Sequence, residues 1–396
     1  MQIINLSFSN NGGPRLSILL QQDEALVFQP DVRVRILDPE GEGPSESAGL
    51  HASGVFPGWL PRGEYQLSCG LEGMELPAGA LRLEVSVDSA TGGQRVTLAE
   101  ETLNVENPAA TAARGLQQPA WSIQSAEGTV PVEKLAWNRG HEDWFFRHFD
   151  HAALVVIELL LKNHPALKGR ILDVGCGDGI TDLGIFLRLR PEELVGIDPF
   201  SGFERLPGVL EANHLPVDVL DEPGLKFLAE DGNSIPYPDN YFDVVVSWGS
   251  LEHIAGGYGQ TLREIRRVLR KDGLLFVHPG LYFGALGNHL GEFFEDPFIH
   301  LKLPEDQLRE AVLNTRPQLI DRAGHDADQA QYWQWYKELN PIRVSDFERE
   351  LRELGFEPWR VALRSSDVVE YTPELQKYSM QDLATAELYL SAWNRK

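Results

Sequence analysis

Apolar and polar residues alternate in short stretches through the first hundred positions of the chain. Ile4-Asn5-Leu6-Ser7-Phe8, Val32-Arg33-Val34-Arg35-Ile36, Tyr65-Gln66-Leu67-Ser68-Cys69 and Leu81-Arg82-Leu83-Glu84-Val85-Ser86-Val87 all read with period two. Gly, Pro, Asp and Asn clusters at 10–14, 38–44, 57–63 and 77–79 separate them, and a closing strand is expected at 101–105. Successive side chains of a strand face opposite sides of its sheet, so this pattern predicts an antiparallel all-β sandwich over residues 1–106. Phe56, Trp59 and Tyr65 are its candidate exposed aromatics, set against the alternative that each is core.

Residues 107–135 lose the alternation and carry Pro108, Gly115, Pro119 and Pro131 among small side chains, which reads as a linker. From there the period lengthens. Trp144, Phe145, Phe149, Leu154, Ile157 and Leu161 fall near one face of a helix over 142–161. After it, short apolar runs alternate with helical ones. Strands are expected at 170–174, 194–197, 225–229, 243–247 and 273–277, with helices at 180–189, 202–211 and 260–270. Such alternation predicts a doubly wound parallel sheet that binds ligands at its strand carboxyl ends, in a domain spanning 136–396. Further helices are expected near 304–313 and 326–339. Another is capped by Ser345 with Glu348 and ends at Gly355, and two strands near 357–364 and 385–393 close the sheet.

Composition narrows the partners. A length of 396 residues favours two domains over one, and 42% hydrophobic content is that of an ordinary globular chain. No apolar run reaches the roughly 18 residues of a membrane span. The first residues lack a basic stretch followed by an apolar one, so no secretory leader is read there. Cys69 and Cys176 are the only cysteines and fall in different predicted domains, so no disulfide is expected and a reducing cytoplasm fits. A formal charge of −24 argues against a nucleic-acid partner, which requires clustered Lys and Arg.

The chemistry centres on Arg170-Ile-Leu-Asp-Val-Gly-Cys-Gly-Asp-Gly-Ile180. A strand that enters a glycine turn and opens a helix lets backbone approach a ligand closely, with an electropositive helix end behind it. A dinucleotide fingerprint needs its third glycine at 180, where Ile stands. Asp198, before Pro199 at the end of the second strand, can accept hydrogen bonds from both hydroxyls of a ribose.

Asp-x-Gly-x-Gly-x-Gly over Asp173–Gly179 resembles the first motif of class I S-adenosylmethionine-dependent methyltransferases. The segment Ala229 to Val246, through Asp231-Gly232, Ile235-Pro236-Tyr237 and Asp239-Asn240-Tyr241-Phe242-Asp243, resembles that family more closely still. The resemblance runs from about 165 to 280 and implies a Rossmann-like methyltransferase sheet with S-adenosyl-L-methionine as cofactor. It implies cofactor contacts at Asp173, Gly175, Cys176, Gly177, Gly179, Asp198 and Pro199, an adenine contact at Asp231 with the Gly232 amide beside it, and Ser247 and Trp248 below the transferred methyl.

If the acceptor is a hydroxyl, a base must remove its proton, and His suits neutral pH. His253, in Ser247-Trp-Gly-Ser-Leu-Glu-His-Ile254, is the leading candidate, against the alternative that it only orders the loop. His289 is the second. Glu252 with His253 has no second ligand cluster nearby in sequence, so no metal site is expected. Residues 281–340 form an insertion of the kind that shapes acceptor pockets, where Trp333, Trp335 and Tyr336 pack a lid or stack on sugars. Gly287-Asn-His-Leu290 followed by Ile299-His-Leu301 resembles methyltransferases associated with bacterial surface polysaccharides, and residues 1–106 resemble the carbohydrate-binding sandwich of O-antigen ABC transporters. Together they imply a glycan or glycolipid acceptor. Open beside that reading are a small-molecule methyltransferase whose sandwich self-associates into a homo-oligomer, and a silent cofactor-binding scaffold.

Overall fold

The computed structural model describes residues 2–9, 15–28, 31–37, 44–51, 59–70, 79–88, 94–103, 121–125, 144–213, 215–317 and 327–396. They fall into two compact units, Met1–Gly140 with Val209–Leu220, and His141–Gly208 with Asp221–Lys396. The described strands of the first unit are β1 (Gln2–Ser9), β2 (Arg15–Phe28), β3 (Asp31–Leu37), β4 (Pro44–His51), β5 (Trp59–Gly70), β6 (Gly79–Asp88), β7 (Gln94–Leu103) and β8 (Trp121–Ser125). They make two four-stranded antiparallel sheets, ordered β1-β2-β5-β8 and β4-β3-β6-β7.

The alternation has the effect expected of it. Leu16 pairs with Cys69, Ile18 with Leu67 and Leu20 with Tyr65, and all six side chains are fully buried. Each aliphatic member contributes about 2 kcal/mol by leaving water. Tyr65 is therefore core and no sugar platform, because its register sets it opposite Leu20 on the closed face. Phe56 and the side chain of Trp59 lie outside the described residues. β2, β4 and β8 were not anticipated. Gln21-Gln22-Asp23-Glu24 interrupts the alternation within β2, and β8 lies in the stretch read as linker. The closing strand is Gln94–Leu103 rather than 101–105.

The second unit is built on a seven-stranded sheet of order β11-β10-β9-β12-β13-β15-β14. Its strands are β9 (Arg170–Val174), β10 (Glu193–Ile197), β11 (Leu225–Leu228), β12 (Phe242–Trp248), β13 (Leu269–His278), β14 (Phe356–Ser365) and β15 (Thr385–Asn394). β9 to β13 run parallel, while β15 joins β13 and β14 antiparallel. Ile171, Leu172, Val174, Val244, Val245 and Leu275 are fully buried, as continuous apolar runs covered on both faces must be. Strand order reverses between β9 and β12, so the ligand crevice of such a sheet opens outside their carboxyl ends.

Helices α1 (Ile180–Leu189), α2 (Gly259–Val268), α3 (Glu305–Asn314), α4 (Gln329–Glu338) and α5 (Val344–Glu353) lie close to their expected places. The stretch expected as a helix over 142–161 is helical from Trp144 but winds mostly in wider π turns, at Arg147–Ala152 and Val155–Leu160. Its Phe149 carbonyl turns outward to accept from Arg188 Nη1 at 3.0 Å, where Gly184 makes room; a Cβ there would sit 2.0 Å from that oxygen. α5 begins at Val344, not after Ser345. Its N-cap is Arg343, held by an ion pair to Asp382 and by Phe283 under its guanidinium, and no side chain caps the helix. Both cysteines are thiols, and no helix among the described residues is long and apolar enough to cross a membrane.

Candidate active site

β9 delivers the chain into a turn in which Gly175, Gly177 and Gly179 have φ of +79°, +56° and +75°. Side chains other than glycine rarely tolerate this region, which explains the run of three. Gly175 and Cys176 donate their amides to the Ile197 carbonyl at 2.8 and 3.1 Å, tying the turn to the end of β10. Gly179 then enters α1. A Cβ at Gly175 would strike Ser250 at 2.3 Å, whereas one at Gly177 would meet nothing within 4 Å. The turn thus presents open space at Gly177 and packed backbone elsewhere.

Asp198 stands beside that opening. Its Oδ2 accepts from the Gly177 amide at 3.2 Å and its Oδ1 from the Phe200 amide at 2.8 Å. Each carboxylate oxygen has a second lone pair for a hydroxyl. Pro199 is exposed, and the Phe200 ring, 87% exposed, stands out from the same loop. Phe200 and Gly202 border this opening, and sequence reasoning passed over them. The backbone at 202 lies against the Gly177 carbonyl, where a Cβ would approach to 2.8 Å. An aromatic and a glycine directly behind Asp198-Pro199 were the available signal.

Below the turn, Asp173 and Asp182 are both buried side by side. Burial, aided by the Asp198 charge, pushes Asp173 up to about 7, and burial with the neighbouring Asp173 charge holds Asp182 well above the usual carboxylate range. Burial also pushes the Cys176 thiol up, aided by those carboxylates, which argues against a thiolate there.

Asp231 is exposed at the end of the loop after β11, its Oδ1 accepting from the Asn233 amide at 2.8 Å. Gly232 is buried against Val174 and Thr261, with no room for a side chain. Ser247 is 1% exposed and donates its hydroxyl to the Val174 carbonyl at 2.9 Å, so it braces β12 on β9. The Trp248 ring packs edge-on to His278, 4.7 Å between centroids.

An open position at Gly177, a carboxylate beside it and a helix end behind it fit a nucleoside carrying a charged tail. These residues suit S-adenosyl-L-methionine on that geometry.

The two candidate bases, 36 positions apart in sequence, come together. His253 and His289 have ring centroids 4.9 Å apart. His253 is exposed at the end of a 3₁₀ turn, Leu251–His253, and Ser250 at its start donates to the Gly175 carbonyl at 2.7 Å. Glu252, only 2% exposed, lies with them. Its Oε2 has no hydrogen-bond partner, and its Oε1 is packed so closely on Gly280 that a Cβ there would come within 2.6 Å.

The insertion holds the cluster in place. Asn288, 1% exposed, donates to the Gly284 and Pro297 carbonyls and accepts from the Leu290 amide, and this clamp sets His289 at φ +56°. Asn340 donates its side-chain amide to the Leu251 and Ile254 carbonyls, each at 2.9 Å, and its backbone amide to the Glu252 carbonyl at 2.7 Å. Tyr336 is buried and hydrogen-bonded to the Tyr282 hydroxyl at 2.6 Å, while Trp333 and Trp335 pack on a core of Phe293, Leu308, Val312 and Tyr332. These aromatics build the insertion. His300 donates Nε2–H to the Tyr282 carbonyl, and burial lowers it to about 4, so it is neutral.

Residues 172–277 match the family described as a methyltransferase domain. Over 145 residues the chain is 30% identical to 2-methyl-6-phytyl-1,4-hydroquinone methyltransferase 2, chloroplastic, of Oryza sativa subsp. japonica, covering 36% of this chain and 37% of that protein. Over 113 residues it is 31% identical to phthiotriol/phenolphthiotriol dimycocerosates methyltransferase 1 of Mycobacterium ulcerans (strain Agy99), covering 28% of this chain and 38% of that one. Both matches thus span well under two thirds of those relatives. A solved geranyl diphosphate methyltransferase in complex with SAM is similar at 13% identity, over 61% of this chain and 84% of that chain, with a TM-score of 0.38. The matched region is a class I methyltransferase domain, and S-adenosyl-L-methionine is its cofactor.

Proposed function

We propose that the chain is an S-adenosylmethionine-dependent O-methyltransferase acting on a hydroxyl or phosphate of a surface-glycan precursor in the cytoplasm. The convergence of His253 and His289 beside the glycine turn carries the oxygen acceptor. When bound, the cofactor supplies a methyl group on a positively charged sulfur. In this reading the turn Asp173–Gly179, with Cys176, carries the nucleoside, Asp198 and Pro199 hold its sugar, Asp231 and Gly232 border its base, and Ser247 and Trp248 form the floor. Either imidazole takes the acceptor's proton, and Glu252 orients the pair.

The glycan part rests on the first unit. Its two antiparallel sheets support a sandwich over 1–106, joined through 107–135 to the methyltransferase domain at 136–396. Tethering a glycan binder raises the acceptor's local concentration without any new contact at the active site. A second reading, a small aromatic alcohol as acceptor with the sandwich self-associating, is favoured by the hydroquinone-named relative.

The test is transfer from radiolabelled cofactor into an extract of the source cells by the purified chain. Label in high-molecular-weight carbohydrate is the expected result. Label confined to solvent-extractable small molecules would move the assignment to the second reading, and no label at all would leave a cofactor-binding scaffold.

A further inference from the structure

We infer that Glu252, His253 and His289 form a binding site for a divalent transition cation of the zinc class. The cation's role rests on the methyl-transfer reading; its binding does not.

One ligand atom from each residue lies within 4.8 Å of the other two. Two imidazole nitrogens and a carboxylate oxygen are the donor set of open, catalytic zinc sites, and imidazole favours transition cations over Mg²⁺. Tetrahedral ligands at zinc bond lengths stand roughly 3.3 Å apart, so no pair need draw together by more than about 1.5 Å. His253 is the member free to move, being exposed at the end of its turn.

Two further observations point to a ligand. Glu252 is 2% exposed and its Oε2 meets no donor, while the Gly280 backbone crowds the other oxygen. A carboxylate buried in this way is unfavourable unless a cation or donors compensate it. His289 adopts a left-handed backbone, φ +56°, uncommon for a residue with a side chain. Asn288 imposes it with three hydrogen bonds from a fully enclosed position. Strain of this kind persists where the surroundings over-determine it, and here the result is an imidazole delivered to a buried acid.

Three protein ligands leave positions open on the cation. An acceptor hydroxyl oxygen placed at one of them releases its proton to water more readily, because the cation stabilises the resulting alkoxide. With the cation bound the histidines act as ligands and the proton passes to water; without it, either imidazole takes the proton as proposed above.

The test uses the full chain, stripped with chelator and titrated with Zn²⁺ alone and Co²⁺ alone, without S-adenosyl-L-methionine. Bound metal is counted after dialysis, and the visible spectrum of the cobalt form reports the ligand set. One equivalent per chain is expected, with affinity falling at least about tenfold in His253→Ala and in His289→Ala. His253 is exposed, so its variant keeps the fold even should Glu252→Gln not; circular dichroism checks each. The proposal is overturned by no stoichiometric uptake, by uptake of Mg²⁺ but not Zn²⁺, or by equal uptake in the His253→Ala/His289→Ala double variant. A chain that binds one Zn²⁺ but transfers no label supports the site and sinks the methyl-transfer reading. A chain that transfers label at full rate in chelator, with no uptake, does the reverse.

Discussion

The glycine turn and the histidine cluster lie at neighbouring strand ends and are built by opposite means. The turn is almost all backbone, with three left-handed glycines inside five residues and the Gly175 and Cys176 amides tied to the next strand. The cluster is all side chain. Its members come from residues 252, 253 and 289, and it is held by Asn288 and Asn340. A backbone site tolerates little change of shape but has few side chains to lose. A side-chain site can be dismantled one residue at a time without disturbing the strands beneath it.

Substitutions within the turn sharpen this comparison most. Gly175→Ala combines a left-handed φ that side chains disfavour with a Cβ 2.3 Å from Ser250. It should cost about 4 kcal/mol, counting backbone strain and overpacking together. Gly177→Ala has similar strain but open space, and should cost only about 1 kcal/mol. Calorimetry should find the first variant melting many degrees lower. Cofactor titration should find the second folded but binding at least tenfold more weakly, since its methyl group occupies the cradle. Equal melting of the two would remove the idea that the turn is packed on one side and open on the other.

The carboxyl pair beneath the turn gives the next effect. Asp173 is raised from 3.8 to about 7, so between those values the folded chain keeps a proton that the unfolded chain releases. Stability from this source is therefore full below about pH 4, falls as pH rises, and levels off above about pH 7. Asp182→Asn removes the second buried carboxyl, itself held well above the usual range, and leaves an amide to donate to Asp173. The variant should exceed the natural chain in stability at pH 8 by about 2–3 kcal/mol, with the gap closing towards pH 4. Thermal melts across that range measure it, and a constant gap would mean that neither carboxyl holds its proton above the usual carboxylate range.

Asn288→Ala tests the cluster's clamp. It strands the Gly284 and Pro297 carbonyls and the Leu290 amide in a buried place, at a cost of about 2 kcal/mol. Turnover should fall more than cofactor affinity, because His289 loses its imposed backbone while the turn is untouched. A loss confined to cofactor binding would show that the clamp serves the turn instead.

The same contrast governs what could be read from the sequence. Arg170–Ile180 announces its conformation locally, since each glycine sits where φ is positive, and Asp198 is reached within one βαβ unit. The parallel sheet was equally legible, because strands buried on both faces are written as unbroken apolar runs. The meeting of His253 with His289 was not. It depends on how the insertion folds back, which no periodicity encodes, and the expectation of no metal site followed from seeing Glu252 and His253 without a third partner. Likewise Ser345 fits the pattern of a cap, but Arg343 is pinned by Asp382 and starts the helix earlier. The π turns after Trp144 respond to the Phe149 carbonyl finding Arg188, a tertiary contact.

Asn340 puts the independence of the two regions under the finest test. It is 89 positions from Leu251, yet its amide bonds the carbonyls on both sides of Glu252-His253. Removing the side chain in Asn340→Ala should cost only about 1 kcal/mol of stability, because the site is half-buried and water can reach the freed carbonyls. If the cluster stands apart from the turn, kcat should drop about tenfold, a loss of about 1.4 kcal/mol in the barrier, while the affinity for S-adenosyl-L-methionine holds. The route by which this could fail is visible. Ser250 opens the same 3₁₀ turn and its hydroxyl rests on the Gly175 carbonyl, so a loosened loop has one direct connection to the glycines. Matching losses in turnover and cofactor affinity in Asn340→Ala, reproduced by Ser250→Ala, would mean that this hydroxyl joins the two into one machine.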